Sequence, residues 1–205
     1  MMVICGGIRT DIDWQFQLHA MDLHQFMKGI TKATYKIERT ADVVPTLYEA
    51  YRLATSGEPG PVFIELPLNV QMFPGEADDL TPWAAPALPA PAAKNQIDAA
   101  MHLLQNAKNP GLFLGWGAAD CTADTLALAE HLQAPVATTL QGLSVFAGGH
   151  PLHTGFSFGP SAVPAARNAF AHCDVMLAIG VRFGEISTGS FGVKVPAQLL
   201  HVDIC

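Results

Sequence analysis

Charge is scarce in this sequence. Only 14% of its 205 residues are Asp, Glu, Lys or Arg, and they leave a net charge of -7. No basic run occurs anywhere, so the chain lacks the electrostatic footprint that a nucleic-acid partner requires. Cysteine is sparse and scattered. Cys5, Cys121, Cys173 and Cys205 form no CxxC pair, which argues against the common zinc modules. Their apolar neighbours suggest buried, reduced thiols in a cytosolic protein. His19, His24, His150 and His153 also fit no standard zinc spacing, so no protein-built metal site is expected. No apolar run approaches the ~20 residues a membrane span needs. Met1 to Gly7 is too short for a signal peptide and lacks a basic start. The chain therefore reads as soluble and cytoplasmic, without membrane or nucleic-acid partners. A hydrolase reading is set aside: Ser, His and Asp are all present, but no Gly-x-Ser-x-Gly elbow is expected.

What is abundant is apolar surface. Half of the residues are hydrophobic, which allows a sizeable core and suggests further burial at subunit contacts. The run Gly57-Glu58-Pro59-Gly60-Pro61-Val62-Phe63-Ile64-Glu65-Leu66-Pro67 is the most legible. Ser56-Gly57 closes an apolar helical segment, Pro59-Gly60-Pro61 is turn chemistry, and Val62-Phe63-Ile64 is a short core strand. Helix, tight turn and buried strand are the grammar of an α/β layer.

One composition shift divides the chain. Pro74, Pro82, Pro86, Pro89 and Pro91, with Gly75 and the acidic Glu76, Asp78 and Asp79, mark residues 74–94 as an interdomain linker. Residues 1–73 carry three expected strands, Val3–Cys5, Ala33–Ile37 and Val62–Leu66, and a helix over Ala41–Thr55. In that helix Val43, Val44, Leu47, Tyr51 and Ala54 recur at helical spacing, and Pro45 sits in the first turn. Three strands and one helix make half a domain. Residues 95–205 alternate regularly. Helices over Asn95–Ala107, Thr122–Leu132 and Ala162–Ala171 separate strands Leu112–Gly115, Val136–Thr139 and Val175–Gly180, and strand Leu199–Ile204 follows. That alternation predicts an α/β fold with a parallel, doubly wound, Rossmann-like sheet.

The exact residues carry a resemblance. Ser56-Gly57-Glu58-Pro59-Gly60-Pro61-Val62, closing at Pro67, is similar to the end of the pyrimidine-binding domain in thiamine-diphosphate enzymes of the acetolactate synthase type. Phe16-Gln17 followed by Asp22, and Ile30-Thr31-Lys32, resemble two earlier segments of that domain. Pro110 to Gly117, Ala134 to Gly142, Asp174 to Phe183 and His201 to Ile204 resemble successive strands of the family's central domain. The resemblance keeps the same order across essentially the whole chain. It implies a partial pyrimidine-binding domain followed by the central domain, which in this family carries FAD.

Several site residues follow from that resemblance. Gly115 and Gly117, on a strand-to-helix turn, let a dinucleotide approach the backbone. Arg182, after Gly180 at a strand's carboxyl end, can pair with a pyrophosphate. Thr139, Leu140 and the glycines Gly155 and Gly159 match positions near the flavin, and Asp203 can accept from a ribose or ribityl hydroxyl. Phe16, Gln17 and Lys32 match residues that reach the thiamine centre, in part across a subunit boundary. The family usually continues Arg-Phe-Asp-Asp-Arg, whereas this chain reads Arg182-Phe183-Gly184-Glu185-Ile186. The second arginine, expected to hold the carboxylate of the acceptor keto acid, is Ile186. Pyruvate as acceptor is therefore in doubt.

The resemblance implies an enzyme that decarboxylates a 2-keto acid such as pyruvate and ligates the fragment to a second carbonyl. It would use thiamine diphosphate and Mg2+, with FAD in the central domain, in a homodimer or homotetramer with a regulatory subunit as an implied partner. The string Gly-Asp-Gly, which holds magnesium and the diphosphate in the family, is absent here, and so is the segment bearing the activating glutamate. The isolated chain is therefore expected to be inactive. Two alternatives stand beside this reading. One is a free-standing FAD- or nucleotide-binding module or a non-catalytic fragment; the other is a glyoxylate carboligase or 2-hydroxyacyl-CoA lyase on the same skeleton.

Overall fold

Two apolar triplets, Val62-Phe63-Ile64 and Leu112-Phe113-Leu114, set the layout, because each forms the central strand of its own parallel sheet. Strands buried on both faces read as continuous hydrophobic runs. The computed structural model describes residues 1–77, 80–87 and 89–204; Asp78 and Asp79 of the acidic run, Leu88 and Cys205 lie outside the described residues. The chain forms two compact units, Met1–Pro89 and Ala90–Ile204.

In the first unit, β1 (Met2–Gly7), β3 (Val62–Pro67) and β2 (Thr34–Lys36) lie side by side in that order, all parallel. Helix α2 (Val43–Thr55) buries Ala50 and Ala54 against Ile37, Val62 and Ile64. A short 3-10 turn, Thr40–Asp42, leads into it. The linker does not leave this unit at once. Trp83 packs its ring against Tyr48 and Tyr51 of α2, with centroids 4.9 and 5.1 Å apart.

In the second unit the strand order is β6-β5-β4-β7-β8, every pair parallel. The strands are β4 (Pro110–Leu114), β5 (Val136–Thr138), β6 (His153–Phe156), β7 (Val175–Ile179) and β8 (Gln198–Val202). Helices α4 (Lys94–Asn106), α5 (Thr122–Leu132) and α6 (Pro164–Phe170) accompany the strands. One face buries Leu112, Leu114, Val136 and Ala129; the other buries Phe113, Phe158, Phe170 and Met176. The chain runs outward from β4 through β5 to β6, then returns to the other side of β4 as β7. The carboxyl ends of β4 and β7 thus form a topological switch point, the crevice where open α/β sheets bind ligands.

Three elements lie outside the sequence-based expectation. They are α1 (Leu23–Met27), α3 (Leu68–Met72) and β6. The two helices have five residues each, too few to show a helical period. Strand β6, His-Thr-Gly-Phe, has one large apolar residue and a glycine at φ +106°, which hides it from a β-propensity reading. The expected strands at Leu112, Ala33 and Leu199 shift by one or two residues, the ordinary uncertainty of element ends.

Candidate functional site

The switch point is built from glycines pressed together. The Gly115 N–H donates to Ile179 O at 2.9 Å, and the Gly117 N–H donates to Gly180 O at 3.3 Å. A Cβ on Gly117 would stand 2.6 Å from Gly180 Cα, and a Cβ on Gly115 would strike Gly180 O. Gly180 itself has φ +62°, a conformation only glycine adopts freely. The glycines expected to admit a dinucleotide therefore serve packing, because they let the β4 and β7 loops meet backbone to backbone.

In front of this seam lies a cleft of about 450 Å³ lined by Trp116, Thr139, Gln141, Gly180, Arg182, Gly184, Glu185, Ile186 and Ser187. Arg182 is the single cation of that lining. Thr139 is held rigidly, its N–H donating to Leu114 O at 2.9 Å and its hydroxyl accepting from the Gly142 N–H at 3.0 Å. Its own hydroxyl proton is left to serve an acceptor. The structure thus brings Thr139, Gly180 and Arg182 into one cleft, with Gly115 and Gly117 packed against Gly180. Leu140, Gly155 and Asp203 are not among the lining residues. Leu140 is exposed, and Gly155 lies within β6. Asp203 accepts from the Ile204 N–H at 2.7 Å and lies 3.6 Å from His201 Nε2. Trp116, Gln141 and Ser187 are lining residues that sequence reasoning missed; a tryptophan between two turn glycines was the available signal for the first.

The first unit separates its expected site residues. Phe16 has φ +60° and its side chain stands 96% exposed. The Gln17 amide is committed to one backbone: it accepts from the Arg9 N–H at 3.1 Å and donates to Arg9 O at 3.0 Å. Lys32 Nζ donates to the carbonyls of Leu53, Ser56 and Glu58 at 2.8, 2.8 and 3.0 Å. Those carbonyls are at the end of α2, so Lys32 is a helix cap, and its stem lies where a Cβ on Gly60 would stand. A pair that sequence reasoning missed lies nearby. His24 Nε2 donates to the buried Glu65 carboxylate at 2.8 Å, and its ring stands edge-on to Phe63.

Gly155-Phe156-Ser157-Phe158-Gly159 carries the Gly-x-Ser-x-Gly spacing, and Ser157 sits at φ +58° just past β6. The Gly-x-Ser-x-Gly spacing is thus present, contrary to expectation, with its serine in a strained conformation. Its chemistry is closed off, however: Ser157 is 1% exposed and its hydroxyl donates to Ser187 O at 2.9 Å. Burial pushes the Cys173 thiol up to about 11, which leaves it a poor nucleophile. Among the described residues no group of three or more His, Cys, Asp or Glu side chains is placed to hold a metal ion. No helix among them is long and apolar enough to cross a membrane.

A parallel, doubly wound sheet with a cleft at its switch point defines an α/β protein of the Rossmann-like kind. Comparison with known families sharpens that class. Residues 97–205 match the family described as thiamine pyrophosphate enzyme, central domain, and the chain belongs to that family. Over its whole length it is 33% identical to a probable acetolactate synthase large subunit of Methanocaldococcus jannaschii, covering 36% of that protein. It is 31% identical to the acetolactate synthase large subunit of Corynebacterium glutamicum, covering 33%, and 31% identical to acetolactate synthase isozyme 1 large subunit of Escherichia coli, covering 36%. The chain spans about a third of the length of these relatives.

Proposed function

We propose that this chain is the end of a pyrimidine-binding domain (residues 1–73), a linker (74–94) and a central domain (95–205) of a thiamine-diphosphate carboligase. The reaction is decarboxylation of a 2-keto acid, with pyruvate as donor, and ligation of the fragment to a second carbonyl. The observation that carries the reading is the identity of 31–33% to acetolactate synthase large subunits along the entire chain. Thiamine diphosphate, held with Mg2+, would supply the nucleophile; the chain's own part is to shape the surroundings and hold a structural FAD, since ligation has no net redox step. The donor set of the switch-point cleft fits a nucleotide pyrophosphate. Arg182 provides a charge-assisted donor, and the Thr139 hydroxyl and Gln141 amide provide neutral ones. The loop bearing Phe16 and Gln17 faces the thiamine centre in the assembled oligomer, and Lys32 of the same unit caps the end of α2. Ile186 offers an acceptor carboxylate no charge, so the acceptor is a carbonyl compound whose recognition does not depend on position 186. The protein acts as a soluble homo-oligomer, with a regulatory subunit as its further partner.

FAD titration of the purified chain, read by flavin fluorescence, tests the cofactor assignment. Arg182→Ala is expected to weaken binding about 10- to 100-fold, the loss of one charged hydrogen-bond donor. Wild-type affinity in that variant would remove Arg182 from the site. The 205-residue chain with thiamine diphosphate and magnesium is expected not to consume pyruvate, whereas the longest reading frame containing it is expected to do so. A frame that consumes no 2-keto acid overturns the carboligase reading.

A further inference from the structure

Of the three tryptophans, Trp116 is the one in the lining of the cleft that holds Arg182. Trp83 is seated on two tyrosines, and no ring contact among the described residues includes Trp14, an exposed residue of the first unit, or Trp116. Its side chain is 62% exposed and nevertheless lines the cleft that holds Arg182. The backbone beneath it is fixed. Trp116 opens the 3-10 turn Trp116–Cys121, and the glycine on either side of it packs against Gly180. An indole on a clamped backbone at a sheet's switch point is a preorganised apolar surface, and water gains nothing from it. Ile186, equally exposed, is the other large apolar member of the same lining. Between them the cleft offers one cation, Arg182, and one carboxylate, Glu185. A ligand with two separated anionic ends would meet Glu185 unfavourably. A ligand with one anionic part and one flat, uncharged part meets Arg182 with the first and the indole with the second.

We propose that Trp116 is the ring-stacking platform of this cleft, and that its ligand is a nucleotide whose phosphate lies on Arg182 and whose heteroaromatic ring lies on the indole. The inference rests on the cofactor reading above and adds the residue that selects for a ring. Stacking of a base on an aromatic side chain corresponds to roughly 10- to 100-fold in affinity.

Calorimetric titration of the chain with FAD, ADP and inorganic pyrophosphate separates the contributions. Trp116→Ala is expected to weaken FAD and ADP roughly 10- to 100-fold and to leave pyrophosphate unchanged, while Trp116→Phe, which keeps a ring, stays near wild type. Indole fluorescence gives a reading that does not depend on the alanine variant folding: FAD is expected to quench wild type strongly and Trp116→Phe weakly. If Trp116→Ala binds FAD like wild type while Arg182→Ala binds weakly, the cleft assignment stands and the stacking role is refuted. Equal weakening for FAD and pyrophosphate also refutes it, because the indole would then only support the loop. Absence of binding by wild type to all three probes overturns both readings.

Discussion

Replacing Lys32 by methionine separates support from chemistry in the first unit. The substitution keeps the stem that lies over Gly60 and removes only the ammonium, which donates to the Leu53, Ser56 and Glu58 carbonyls. A charged hydrogen bond is worth about 1.5–3 kcal/mol in protected sites, and a cation at a helix C-terminus adds about 0.3–1 kcal/mol. Lys32 is exposed, so water replaces part of what is lost, and we take about 1–2 kcal/mol for all three contacts together. For a unit of this size each kcal/mol moves the melting temperature by about 4–8 °C, giving a drop of roughly 4–16 °C. Trp83 is a built-in reporter, because its ring packs on Tyr48 and Tyr51 of the helix that Lys32 caps. Thermal unfolding followed by tryptophan fluorescence should show a first transition lowered by that amount. FAD affinity, set in the second unit, should stay unchanged. Lys32→Arg should recover part of the loss by supplying donors again. A melting shift below about 2 °C in Lys32→Met would refute the capping role and return Lys32 to the group of residues whose charge faces a substrate.

Three further outcomes follow from the packing. Gly180→Ala adds a Cβ at φ +62° directly against the Gly117 backbone, so the second unit should lose several kcal/mol, about 3 or more; a chemical denaturation midpoint within error of wild type contradicts the seam. The Lys108 and Asn109 N–H groups donate to Asp174 at 2.8 and 3.0 Å and hold its carboxyl below the ordinary value of 3.8. Its contribution is therefore present above pH 3.8 and lost as pH falls through the lower folded value. Asp174→Asn should be less stable than wild type at about pH 6 and should converge with it in acid, and parallel urea midpoints across that range would argue otherwise. Cys173, raised to about 11 by burial, should resist iodoacetamide at about pH 8 in the native chain and react only after unfolding. Peptide mapping that finds it alkylated as fast as a free thiol contradicts that burial.

Much of the fold was legible because its signals are local. The glycine after α2, the Pro-Gly-Pro turn, and the apolar triplets at Val62 and Leu112 each state their structure in consecutive residues. The parallel character of the second sheet followed from alternation alone. Strand β6 was not legible: β5 supplies the partner that makes His-Thr-Gly-Phe a strand, and no propensity in those residues does. The candidate site divides along the same line. Gly180 and Arg182 were readable from their place at a strand's carboxyl end, whereas Thr139 was readable only through the family resemblance. The pairing of His24 with Glu65 spans 41 positions and brings together a short helix and a buried strand, so spacing contains no trace of it. The acceptors of Lys32 were equally hidden, since three carbonyls of another segment leave no side-chain signature. The strained Ser157 shows the reverse failure. Its glycine spacing is plain in the chain, yet only burial and the bond to Ser187 decide what it can do.

The glycine seam changes how the cleft should be reasoned about. A Gly-x-Gly turn invites the inference that each missing side chain makes room for a ligand. Here the space at Gly115, Gly117 and Gly180 is filled by protein backbone, so a substitution at any of them would abolish binding by displacing a loop. Loss of ligand in such a variant therefore carries no information about contact. Residues that can be changed without moving the seam are the informative ones, and they are the side chains that project from it: Arg182 for the anion and Trp116 for the ring. Because those two can fail separately, the cleft can be tested as a binding site even though the backbone that builds it tolerates almost no change.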